Sequence, residues 1–174
     1  MATRRRLVCL SLTGLLLFPF PTPASAHDHR RPMALLRVHG MPYRGRMVEV
    51  DWVTRKDGGC VEKHRQRDLR FGPPARVDIG LYPGRLRLLT SQRPRLRILS
   101  WALLDGSKQP VGPPEEIPFE LERLSRNGRT LAWDAVFRLF VVEHRYIGVF
   151  ARWPDREGCD EMQRVTWTYH LRGV

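Results

Sequence analysis

Three groups of side chains have types and spacings that could do chemistry. The first is His27-Asp28-His29. If a leader is removed after Ala26, His27 becomes residue one, and its α-amine and imidazole can chelate a metal together. With one further imidazole this makes a histidine brace. Independently, a histidine in third place, His29, lets the amine, two backbone amides and its ring form a square-planar site. Amine and imidazole nitrogens suit Cu(II). His39, His144 and His170 are the candidate further ligands. Copper is the one cofactor these residues suggest, against the plainer reading of a solvated polar terminus.

The second group is Arg85, Arg87, Arg95 and Arg97. Leu86, Leu88, Leu96 and Ile98 alternate with them, so the segment reads as a hairpin with one apolar face. A register placing Leu86 opposite Ile98 sets Arg87 against Arg97, with Arg85 and Arg95 diagonal to them. Like charges facing across a ladder are destabilising. Either an acid such as Asp78 neutralises them or the face meets an anion, for which guanidinium forks are suited. A solvated outer face is the competing reading.

The third group is the acidic run Asp155, Glu157, Asp160 and Glu161. Oxygen ligands at that density could hold calcium, but Arg156 interrupts them and no calcium-loop spacing is met. No nucleophile elbow, metalloprotease helix or glycine-rich phosphate loop occurs. That weighs against an enzyme, although a triad assembled only in space would leave no such trace. A hydrolase of envelope polymers is therefore the most distant alternative.

The elements that must position these groups are strands. Leu131, Trp133, Ala135, Phe137 and Leu139 fall on one parity; so do Ile147, Val149, Ala151 and Trp153, and again Val165, Trp167, Tyr169 and Leu171. Period two presents one apolar face per run, and β-branched and aromatic residues suit a half-buried pleated surface. These runs predict an antiparallel meander packed on a second sheet, with Trp133, Trp153 and Trp167 in the core rather than on a carbohydrate platform. Further strands are predicted at 33–39, 46–55, 60–64, 76–81, 85–90, 95–104 and 119–124. Asn127-Gly128 is a hairpin turn. Three prolines punctuate 105–118, which reads as loop. No helix of useful length is expected. The pattern predicts a single-domain antiparallel β-sandwich over 27–174, immunoglobulin-like or jelly-roll-like, with a closed barrel as the alternative.

Compartment follows from the first 26 residues. Arg4 to Arg6 precede an apolar run, Leu7 to Phe20, and Ala24-Ser25-Ala26 has the small-x-small pattern of a cleavage site. The apolar run is short of the roughly 20 residues needed to span a bilayer. A cleavable signal peptide and a periplasmic or secreted product are expected, with no membrane span thereafter; an uncleaved anchor is the alternative. Removing the leader takes Cys9 and leaves Cys60 and Cys159, most simply a disulfide in an oxidising compartment. It also takes three arginines and no acid, so the net charge falls from +12 to +9. Such a field favours anionic partners. Outside the cytoplasm these are envelope polymers or acidic proteins rather than nucleic acid. The expected function is a binding or structural module of the cell envelope.

Overall fold

The structure, a computed structural model, describes residues 32–154, 159 and 163–174. The leader, His27, His29 and the acidic run at 155–161 lie outside the described residues. Twelve strands and no helix occur among those described. Two antiparallel sheets stack without closing into a barrel, giving the expected β-sandwich. The first holds β1 (Met33–Val38), β2 (Met41–Arg44), β6 (Gly80–Leu89), β9 (Glu120–Arg126) and β10 (Arg129–Val141), in the order β2-β1-β6-β10-β9. The second runs β4-β3-β12-β11-β7-β8, from β3 (Arg46–Lys56), β4 (Gly59–Gln66), β7 (Arg95–Trp101), β8 (Glu115–Glu116), β11 (His144–Trp153) and β12 (Gln163–Gly173). A short β5 (Ala75–Val77) joins the end of β12 in parallel.

The inward faces carry the expected parity. Leu36, Leu86, Leu88, Ala135, Phe137 and Leu139 come from the first sheet. Val50, Ile98, Ile147, Val149, Val165 and Leu171 meet them from the second. Trp153 sits edge-on to Trp52 at 5.5 Å and to Trp167 at 6.4 Å, an arrangement aromatic quadrupoles favour. Gly84 lies opposite Phe137 in the ladder, and a Cβ there would stand 2.5 Å from the ring. The glycine is what lets that phenyl lie across the neighbouring strand. Cys60 and Cys159 form the expected disulfide, closing a sequence separation of 99. A formed disulfide fits an oxidising environment. Among the described residues no helix is long and apolar enough to cross a membrane.

Five expectations are corrected. The 105–118 segment is not all loop, since Glu115 and Glu116 pair with Ser100 and Leu99 as β8. The 85–97 hairpin does not form. Leu86 pairs with Leu36 and Ala135 in the first sheet, while Ile98 pairs with Val149 in the second. The chain changes sheets through Thr90–Pro94, where Pro94 has no amide to continue a ladder, so both apolar faces are buried and Arg87 never meets Arg97. The meander is also divided: β10 stays in the first sheet, and the chain turns at Val142–Glu143 into the second. The segment at 76–81 splits into β5 and the start of β6, leaving Ile79 exposed. Finally, a bulge between Thr130 and Ala132 turns Leu131 outward, 50% exposed. A bulge shifts parity by one residue.

Two apolar side chains that both fall on the expected inward parity should therefore respond very differently to truncation. Trp153→Ala should cost about 3–5 kcal/mol, as deletion of a fully buried aromatic does. Leu131→Ala should cost under about 0.5 kcal/mol, as at other surface positions. Urea unfolding of the two variants checks this, and a large loss at Leu131 would contradict the bulge.

Candidate anion-binding face

The four candidate arginines divide between the sheets and serve different ends. On the outer side of the first sheet, Asp134 lies opposite Arg87 across β10 and β6. Arg87 grips it in a fork, Nε to Oδ1 at 2.9 Å and Nη2 to Oδ2 at 2.8 Å. Arg85 donates to the same Oδ2 at 2.9 Å and to Glu122 at 3.2 Å. Asp134 is only 2% exposed. Burial pushes its carboxyl pKa up, but the hydrogen bonds and charges of Arg87 and Arg85 outweigh that and leave it below the usual carboxylate range. Asp134, not Asp78, is the neutraliser. Arg85 and Arg87 are thus committed to the fold.

Arg95 and Arg97 stand on the outer side of the second sheet. There Arg95 lies directly opposite Arg152 on β11, which lies opposite Arg164 on β12. Three cations in a row is the arrangement a ladder ordinarily avoids. Arg164 is neutralised from the next strand by Asp51, through Nη2 at 2.6 Å and Nε at 3.2 Å. Arg97 has only a 3.5 Å contact with Glu116, both side chains largely in water, a pairing worth little. Arg95 and Arg152 make no ion pair or hydrogen bond with any side chain among the described residues.

The same face has an apolar floor. Phe150 is the cross-strand neighbour of Arg97 and of Thr166. Its ring lies over Gly148, where a Cβ would come within 3.0 Å of it and 3.2 Å of Trp101. The missing side chain lets the phenyl lie flat on the sheet. Arg95, Arg97 and Arg152 border a hollow of about 440 Å³ with Leu96, Leu99 and Phe150. Guanidinium forks above a flat hydrocarbon floor can bind an anionic group and pack its carbon skeleton. Arg152 and Arg164 escaped the sequence reading, although both sit on the polar parity of their runs, flanking the 154–162 connection. That shared position was the available signal.

The histidines also separate. His39 sits in the β1–β2 turn, edge-on to Tyr82. His144 and His170, by contrast, meet at 2.9 Å between Nδ1 and Nε2, with Tyr146 stacked on His170 at 4.3 Å. At that distance one ring N–H donates to the bare nitrogen of the other ring. Burial pushes the His170 pKa down; the Gly72 carbonyl pulls it up, while His144 and Arg172 reinforce the downward shift. Phe71 packs edge-on to Trp101 and Tyr146 and, with Leu99, closes a small apolar cluster on this outer face.

The chain matches no family model, no curated protein and no solved structure. Function has to be read from this geometry.

Two measurements test the charge assignments. Asp134→Asn should cost about 2–3 kcal/mol, less than a wholly buried pair because both guanidiniums reach water. Since Asp134 holds its proton less readily folded than unfolded, its contribution is present above pH about 3.9 and fades as pH falls through the folded value. His170 likewise binds a proton less readily when folded. Its contribution should fade as pH drops below about 6.5 and level off below the folded value. His170→Asn should flatten that part of the stability–pH curve.

Proposed function

We propose that this protein is an exported, non-enzymatic binding module of the cell envelope, holding an anionic polymer against the arginine end of its second sheet. The observation that carries the reading is Arg95 facing Arg152 over the Phe150 hollow, with no ion pair to a carboxylate for either among the described residues. An anion there would relieve the repulsion that the ladder otherwise sustains. The oxidising compartment fitted by Cys60–Cys159 and the leader-like first 26 residues support export. The net positive charge adds long-range attraction for a polyanion.

The test separates a site from bulk charge. Polyphosphate and polygalacturonate serve as phosphate and carboxylate probes. Arg95→Ser with Arg152→Ser should weaken binding to the preferred probe by about tenfold or more, the scale of one or two lost charge-assisted hydrogen bonds. Arg126→Ser with Arg138→Ser removes the same charge from exposed positions in the first sheet and should cost much less. Equal losses in the two double variants would mean that net charge alone binds, and the reading would fail.

A further inference from the structure

The β3–β4 ribbon carries a second set of chemical groups, independent of the arginine hollow. Its register places Asp51 directly opposite His64, and Glu62, two residues before His64, shares the same side of β4. Lys63 and Arg65 alternate onto the other side. One ligand atom from each of Asp51, Glu62 and His64 lies within 4.8 Å of the other two. The Asp51 Oδ1 to His64 Nδ1 separation is 4.0 Å. A tetrahedral cation with ligands near 2.0–2.2 Å spaces its donors at roughly 3.3–3.6 Å. Closing the gap needs only rotamer adjustment in Glu62 and His64, which are exposed.

Asp51 is already oriented for this. Arg164 occupies Oδ2 with two hydrogen bonds, which leaves Oδ1 as the oxygen on the His64 side. Outer hydrogen bonds of that kind fix the direction of a ligating carboxylate. The ribbon beneath is held at its turn: Cys60, the second residue of β4, is bonded to Cys159, and Asp57 and Gly58 make a positive-φ turn. One imidazole and two carboxylates form a mixed nitrogen–oxygen set with three protein donors, and the solvent side is open for water. Such a set suits zinc and its first-row neighbours. It falls short of the six or more oxygens that calcium takes.

We propose that Asp51, Glu62 and His64 form a cross-strand binding site for a borderline divalent cation of the zinc class, completed by solvent. The imidazole must be unprotonated to ligate, so binding weakens on acidification. The site shares no ligand with the His27 terminus or with the arginine hollow, so its fate is separate from theirs.

The experiment is a zinc titration of the tag-free protein by calorimetry, followed in parallel by the His64 imidazole resonances. His64→Gln and Glu62→Gln are the variants, because both side chains are exposed and neither carries the fold. Binding at His27 and His29 is common to all three proteins, so a difference among them reports the ribbon. Zinc should shift the His64 resonances, and each variant should lose about tenfold or more in affinity for one equivalent. Zinc should also raise the unfolding temperature of the parent protein, by mass action on the folded state, and raise it less in His64→Gln. Resonances of His64 unmoved at millimolar zinc, or variants that bind as the parent does, would overturn the site.

Discussion

The constraint on which the rest depends is that each strand has two sides and the core claims one of them. Trp52, Trp153 and Trp167 all point inward from the second sheet and pack edge to face. Once they do, period two leaves the alternate residues no choice. Arg152 follows from the burial of Ala151 and Trp153, Arg164 from that of Val165, and Arg97 from that of Ile98. The cationic face is the reverse side of the hydrophobic core. No local preference of the arginines put it there.

What differs between the two outer faces is whether a carboxylate was placed to meet the cations. In the first sheet Asp134 stands on the strand next to Arg85 and Arg87 and is sealed beneath them. Removing it would leave Arg87 without this acceptor and Arg85 with only the exposed Glu122. In the second sheet the corresponding acid, Asp51, reaches only Arg164, two strands away from Arg95. Among the described residues no carboxylate pairs with Arg152 or Arg95. Asp51 thereby links two features: Arg164 holds its Oδ2, and its Oδ1 lies 4.0 Å from His64 Nδ1 on β4.

The outer face of the second sheet is unusual in a further respect. Its far end is not polar: Phe71, Leu99, Trp101 and Tyr146 form a small second core there, reached by the chain after β4 folding back across the sheet. The hydroxyl of Thr168 donates to the Arg70 carbonyl and anchors that segment. Glycine at 148 lets Phe150 lie between this apolar end and the arginines. One face therefore grades from aromatic to cationic, as a surface for an anion with a carbon skeleton would.

The longer strands, the sandwich class and the inward parity of Trp153, Trp167, Ile147 and Leu171 were legible in the sequence, because period-two alternation is a local property. The Cys60–Cys159 pairing followed from there being two cysteines after the leader-like first 26 residues. The short β2 and β8, which carry no such alternation, were not legible. Nor were pairing partners. Two adjacent amphipathic strands look the same whether they form a hairpin or part into separate sheets, and the 85–97 segment parts at Pro94. For the same reason Asp134 was invisible as the partner of Arg87, 47 residues away, and Asp51, Glu62 and His64 showed no ligand spacing until β3 and β4 were set side by side. The chain alone determined which side of each strand is apolar. Only the tertiary structure decided which charges face one another, because hydrogen-bonded register is a relation between strands and no single strand carries it.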